Sequence, residues 1–335
     1  MPRFLHTADL HLNAQRRHFP QQYLKRAQWV LQALEETAVQ YKVDCIVVAG
    51  DVYDRPDVTN AERGLFSEWL GRLSIPTLII SGNHDARGKI IGDTCLHDLS
   101  ALRLKRHFVH DGDPTILKAF GCCWLLLPYY GWTDEEFHLI VSSLVWKIRK
   151  SNTTEPLVVV MHEAVKGGQT DAGYLVTKYD QIHLVSYDEV TYWALGDIHM
   201  SLQILDNAYY PGAPYQIDFG ETADNKGCMI VNVADATTFE FVPLVCPYPL
   251  VSVETPIRDW PEFSKYVGKE DVALPNHVIR DISEPIETVV QTMWAQVPPL
   301  WGLEELLNRQ LEPEMVPIAV KLAEKLLEEQ SLKTI

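Results

Sequence analysis

The sequence predicts an α/β protein built around a large catalytic core, on three observations. Short runs rich in β-branched residues recur along the chain. Stretches with apolar residues at helical spacing alternate with them. Each of five such runs stops where a residue able to bind a metal begins.

Arg3–Thr7 reads as the first strand. Gln22–Tyr41 follows as a helix, with Leu24, Ala27, Leu31, Leu34 and Ala38 spaced for one face. Cys45–Ala49 is the second strand. A helix is expected to start at Thr59, because Thr59-Asn60-Ala61-Glu62 has capping-box spacing, and Leu65, Phe66, Trp69, Leu70 and Leu73 supply its apolar stripe. Thr77–Ile80, Leu157–Met161 and Tyr192–Leu195 are further strands. Cys228–Val233 and Phe239–Val245 read as two strands joined by a polar turn around Asp235, so a second sheet is expected to close the domain. Pro243, Pro247, Pro249, Pro256 and Pro261 then crowd together and mark a boundary near residue 250. Residues 1–250 are thereby expected to form the catalytic domain. Residues 251–335 form an appendage ending in a helix from about Pro317 to Gln330.

The length of 335 residues and 47% hydrophobic content suit one large core with a smaller addition. The six cysteines include no C-x-x-C pair, which argues against a disulfide framework or a zinc site and for a reducing, cytoplasmic setting. No signal-peptide pattern opens the chain. The longest apolar run, Cys122 to Tyr130, is far short of the roughly 20 residues of a membrane span, so no membrane association is expected. A net charge of −16 argues against nucleic-acid binding by the whole surface. Bound divalent cations would invert that field locally.

Chemistry enters at the strand ends. Asp9-Leu10-His11 follows the first strand, Gly50-Asp51 the second, and Gly82-Asn83-His84-Asp85 the third. His162 and Gly196-Asp197-Ile198-His199 follow the other two. Ligands of an open α/β sheet bind beyond the carboxyl ends of its strands, so these loops are expected to converge on one site. Carboxylate, imidazole and amide oxygen together suit manganese, iron or magnesium rather than thiolate-loving metals. Asp51 has two oxygens with which to span two ions about 3.5–4 Å apart. His84 directly follows a ligand and is free to protonate a departing oxygen. His6, His18, His97, His107, His110, His138, His183 and His277 lack such a context and read as ordinary core or surface residues. The aromatics of Trp124–Trp132 read as packing rather than a base-stacking platform.

Taken in order, Asp9-x-His11, Gly50-Asp51-x-x-Asp54, Gly82-Asn83-His84-Asp85, His162 and Gly196-x-x-His199 resemble the calcineurin-like metallophosphoesterases. Within them the chain looks most like the SbcD-type nucleases. That narrower likeness lies in Thr7-Ala8-Asp9-Leu10-His11-Leu12, Gly50-Asp51-Val52-Tyr53-Asp54-Arg55-Pro56, Tyr210-Pro211-Gly212-Ala213-Pro214 and Phe219-Gly220-Glu221. The resemblance implies two packed β-sheets flanked by helices, with a small α+β C-terminal domain. It implies one metal ion held by Asp9, His11, Asp51 and His199, and another by Asp51, Asn83, His162 and Asp197. His84 is the implied catalytic histidine.

Also implied are manganese, with magnesium possible, and DNA as substrate, cut as a duplex by exonuclease action and as single strands or hairpins by endonuclease action. A homodimer, a C-terminal DNA-capping region and an SbcC-like coiled-coil ATPase partner complete the implied set, in a bacterial or phage-infected cell. One position departs: the family shows Gly-His-x-His where this chain has Gly196-Asp197-Ile198-His199. The additional carboxylate is expected to tighten retention of the second ion, to favour magnesium tolerance and to weaken attraction for phosphate. A small-molecule or cyclic-nucleotide phosphodiesterase, and a catalytically silent scaffold, stay open as alternatives.

Overall fold

β1 (Arg3–Thr7), β2 (Cys45–Ala49), β3 (Thr77–Ile80) and β4 (His107–His110) run parallel in one sheet. α1 (Tyr23–Tyr41) and α2 (Asn60–Arg72) connect the first three, and the short α3 (His97–Leu102) precedes β4. This computed structural model describes residues 2–280 apart from 89, 103, 152–153, 169–181, 185–186, 222–224, 234–236, 269–271 and 276. A second sheet follows in the chain. It takes β5 (Thr115–Ala119), β6 (Cys122–Leu127), β7 (Leu157–His162), β8 (Val190–Gly196), β9 (Leu202–Leu205) and β10 (Ala208–Tyr210). Its order is β5-β6-β7-β8-β10-β9, and α4 (Asp134–Lys150) links β6 to β7.

Side-chain alternation explains why the sheets stack. In β1, Phe4 joins the core between the sheets while Leu5 joins the core under α1 and α2. Cys45, Val47 and Ala49 of β2 point inward with Val158 and Val160 of β7. Leu157, Val159 and Met161 face the other way, against Phe137, Val141, Val145 and Ile148 of α4. β2 and β7 are therefore buried on both faces, as strands covered on both sides require. The layers run helix, sheet, sheet, helix. Trp124 is fully buried between the sheets, edge-on to Phe4 at 5.1 Å.

Two expectations need correction. β11 (Gly227–Asn232) and β12 (Thr238–Pro243) do form an antiparallel pair. They do not close the domain as a second sheet: β11 pairs antiparallel with β1, giving the first sheet the order β12-β11-β1-β2-β3-β4. The free edge of β1, apolar on both faces, gains a partner there. Nor do the five ligand-bearing strands share one sheet. β1, β2 and β3 belong to the first and β7 and β8 to the second, so the site sits across the sandwich at a common end.

The capping box at Thr59 is present, with Glu62 N–H donating to Thr59 Oγ1 at 3.3 Å and Thr59 N–H to Glu62 Oε2 at 2.7 Å. The first helix starts at Tyr23, and Gln22 offers no side-chain cap. The turn around Asp235 and the helix expected at 317–330 lie outside the described residues. The described residues divide into two compact units, one within 2–252, 257–265 and 275–278, the other within 253–256, 266–274 and 279–280. Within the second, Arg280 lies over the Tyr266 ring at 5.3 Å and donates to Val272 O at 2.7 Å. Among the described residues no helix is long and apolar enough to cross a membrane.

Candidate metal centre

The loops after β1, β2, β3, β7 and β8 meet as expected. Three groups of side chains bring ligand atoms within 4.8 Å of one another: Asp9 with His11 and His199, Asp9 with Asp51 and His162, and His11 with Asp54 and His84. His11 and His199 face Nε2 to Nε2 at 3.1 Å. Asp51 Oδ2 lies 3.5 Å from His11 Nε2 and 3.4 Å from His162 Nε2. The Asn83 amide oxygen lies 2.8 Å from His162 Nε2. Asp51 thus stands between two groups, but through one oxygen rather than both. Its Oδ1 is committed to the His84 N–H at 2.9 Å.

Asp197 stands at the margin. Its carboxylate is 3.8 Å from His162 Nε2, and its N–H donates to Asp9 Oδ1 at 3.1 Å. It joins none of the three tight groups. His84 directs Nδ1–H to the Asp54 carbonyl at 2.8 Å, which leaves Nε2 for chemistry.

The backbone is bent to bring these groups together. Asp9, His11, Asp51 and Asp197 have φ of 54°, 41°, 50° and 99°, a region uncommon outside glycine. Each such residue costs on the order of 1–3 kcal/mol, which the surrounding fold must offset. Gly82 shows the same crowding, since a Cβ there would lie 2.0 Å from Asp51 Oδ1.

A further layer fixes the ligand groups. Nδ1 of His162 donates to Ala49 O at 2.7 Å, and Nδ1 of His199 to Glu221 Oε1 at 2.7 Å. Nδ1 of His11 lies 3.3 Å from Asp54 Oδ1. The bonds of His162 and His199 put their Nδ1 protons on the outer side, so their Nε2 atoms converge with the carboxylate and amide oxygens. Such a gathering requires positive charge among the donors, whether protons or divalent cations. The donor set of imidazole, carboxylate and amide oxygen suits a hard or borderline divalent ion.

Asp85 ties two ligand loops together. Its buried carboxylate accepts from Gly82 N–H at 3.0 Å, Val52 N–H at 3.2 Å and Tyr53 N–H at 3.0 Å. Burial, reinforced by nearby Asp51, pushes it up to about 7. Glu163 anchors the wall after β6 by accepting from Tyr130 and Gly131 N–H at 3.1 and 2.8 Å. Trp124 and Trp132 are buried, while Tyr130 is exposed and stacks on Trp132 at 4.0 Å.

Of the residues the sequence singles out, Asp9, His11, Asp51, Asn83, His84, His162 and His199 stand together, with Asp197 beside them. Asp54, Asp85 and Glu221 take part although the sequence alone assigns them no role, and all three fall within the motifs. Their places in Gly50-Asp51-x-x-Asp54 and Gly82-Asn83-His84-Asp85 were the available signal for Asp54 and Asp85. His6, without a ligand context, is buried instead between Tyr192 OH at 3.1 Å and Leu195 O at 3.2 Å.

Residues 2–201 match the calcineurin-like phosphoesterase family. The chain belongs to that family. As a calcineurin-like phosphoesterase it is a two-metal hydrolase, and the convergent donors are what such chemistry needs. It is similar to the SbcD component of the SbcCD nuclease of Staphylococcus epidermidis, at 23% identity over 264 residues, covering 72% of this chain and 69% of that one. It is also similar to the crystal structure of a dimetal phosphatase from Danio rerio, with TM-score 0.45 and 13% identity, covering 72% of this chain and 95% of that one.

Proposed function

We propose that this calcineurin-like phosphoesterase is an SbcD-like DNA nuclease, manganese-dependent and paired with an SbcC-like coiled-coil ATPase. The observation that carries the reading is the similarity to the SbcD component of the SbcCD nuclease, which extends over 264 residues and covers 72% of this chain. On this reading Asp9, His11, Asp51 and His199 hold one cation, and Asp51, Asn83, His162 and Asp197 the other. Manganese fits the mixed imidazole and carboxylate set, and magnesium is the second choice. The substrate is DNA, cut as duplex ends and as single strands or hairpins, in recombination, repair or replication. Residues 1–250 carry the chemistry and 251–335 the DNA-capping and partner-binding role. The protein works as a homodimer in the cytoplasm of a bacterium or of a phage-infected host.

Two divalent cations held by these residues would supply charge neutralisation at the phosphate and a more acidic water. The rest is done by the protein. The Asp51 carboxylate lies between the two ligand groups and, through the His84 N–H, keeps that histidine against them. His84 is oriented from behind by the Asp54 carbonyl, so its Nε2 can deliver a proton to the oxygen that leaves. Asp9 and Asp51 are buried, so part of the −16 charge faces cations rather than DNA.

The test is digestion of end-labelled linear duplex DNA with manganese or magnesium, with and without an SbcC-like ATPase, beside a small chromogenic phosphodiester. Manganese-dependent shortening of the duplex is expected. Hydrolysis of the small ester with every DNA form left intact would shift the reading to a small-molecule phosphodiesterase.

A further inference from the structure

The segment Phe219-Gly220-Glu221 is singled out by the sequence, and the proposed chemistry leaves it without a task. Glu221 reaches back to the centre. One carboxylate oxygen, Oε1, accepts the His199 Nδ1–H at 2.7 Å. The other, Oε2, accepts the Ile217 N–H at 2.9 Å and lies 2.8 Å from Lys226 Nζ. Lys226 is itself buried and also donates to the His199 carbonyl at 3.0 Å. The carboxylate is therefore fixed from two sides before it meets the imidazole.

From this geometry we propose that Glu221 is a positioning residue for the metal centre, with Lys226 as its anchor. It holds the His199 proton on Nδ1 and aims the Nε2 lone pair at the point where His11 Nε2 also arrives, 3.1 Å away. A carboxylate behind a ligating imidazole raises its basicity as well as setting its direction. Lys226 keeps that carboxylate from swinging into the centre as a competing ligand, because its ammonium and the Ile217 amide occupy Oε2. The inference rests on the reading of His199 as a metal ligand.

Calorimetric titration of the full-length, chelator-stripped protein with manganese tests it without depending on any nuclease activity. His199→Ala checks the underlying reading and is expected to abolish one binding event. Glu221→Ala is expected to weaken that same event by roughly 10–100-fold, the usual effect of losing such a partner. Glu221→Gln keeps an oxygen that can accept Nδ1–H but loses the charge, so its loss is expected to be smaller than that of the alanine variant. A thermal melt of each stripped variant separates folding from binding. His199→Ala weakening the ion while both Glu221 variants bind as wild type would overturn the proposal and leave the ligand reading standing. His199→Ala binding both ions normally would overturn the ligand reading, and the proposal with it. If Glu221→Ala does not fold, Glu221→Gln decides alone: reduced affinity supports the role, and wild-type affinity removes it.

Discussion

His11 and His199 meet Nε2 to Nε2 at 3.1 Å although they lie 188 residues apart in the chain. Burial opposes charge on His199, but the Glu221 carboxylate prevails and raises it from 6.5 to about 9. In protein stripped of metal, the charged contact with Glu221 therefore stabilises the fold fully below about 6.5. That contribution is lost as pH rises through about 9. A divalent cation must displace the same proton, so its affinity moves in the opposite direction. The thermal midpoint of stripped protein is expected to fall between these pH values. Metal affinity is expected to rise by about tenfold per pH unit for each proton displaced. Melts and calorimetry across the interval check this, and a flat profile in both would contradict the assignment of the charge to His199.

His84 touches the centre through its own backbone, and its ring packs edge-on to His11 at 4.9 Å. Its N–H donates to Asp51 Oδ1 and its Nδ1–H to the Asp54 carbonyl. His84→Asn retains the backbone bond that orients Asp51, so both ions should still bind. Turnover is expected to drop by about 10²–10⁴-fold, the usual worth of a general acid. Equilibrium metal binding and single-turnover rates on the same preparation separate the two effects; full turnover would remove His84 from the mechanism.

Gly50 is required by crowding as well as by its φ of +92°. A Cβ there would lie 2.1 Å from His162 Nδ1, an atom already bonded to Ala49 O at 2.7 Å. Gly50→Ala must displace His162 or distort the turn. A loss of about 2 kcal/mol or more in stability is expected, with weakened metal binding. Gly64 in α2 is the control, because a Cβ there meets nothing within 4 Å. Gly64→Ala is expected to stabilise by roughly 0.5–1 kcal/mol, from helix propensity alone. Thermal melts of the pair compare steric demand with conformational freedom.

Much of this was legible in the chain because its signals are local. The stripe from Leu24 to Ala38 and the box at Thr59 each specify a helix within a few residues. α4 carries an equally local signal, since Thr133 and Glu136 form a second capping box. β9, β10 and β4 are short, and β4 alternates weakly, so periodicity gives little grip on them. The division of the ligand strands between two sheets is not written in any one strand. A strand covered on both faces reads the same in either sheet, and only long-range pairing such as β1 with β11 decides it. The site residues were legible because they sit at strand ends. Glu221 was not, since its contact with His199 spans 22 residues and depends on how the intervening chain returns.

On the proposed ligand set, Asp197 is the position that bears most directly on metal choice. Its carboxylate lies 3.8 Å from His162 Nε2, on the side of the centre shared with Asn83 and Asp51. A full charge at about 4 Å in an effective dielectric of 20 is worth about 4 kcal/mol before solvent compensates, so removing it should be felt. With Asp9, Asp51 and Asp197 the donors carry a formal charge of about −3 against +4 from two ions, and Asp197→His leaves about −2. The variant is expected to hold its second ion about tenfold less tightly or worse, to lose magnesium-supported activity more than manganese-supported activity, and to bind phosphate more strongly. Inductively coupled plasma measurement of retained metal after dialysis reports the first effect. Rates in each metal report the second, and inhibition by inorganic phosphate the third. Unchanged metal retention, preference and rate would show that the carboxylate is a bystander. In that case its N–H bond to Asp9 Oδ1 at 3.1 Å is the contribution of this position to the site.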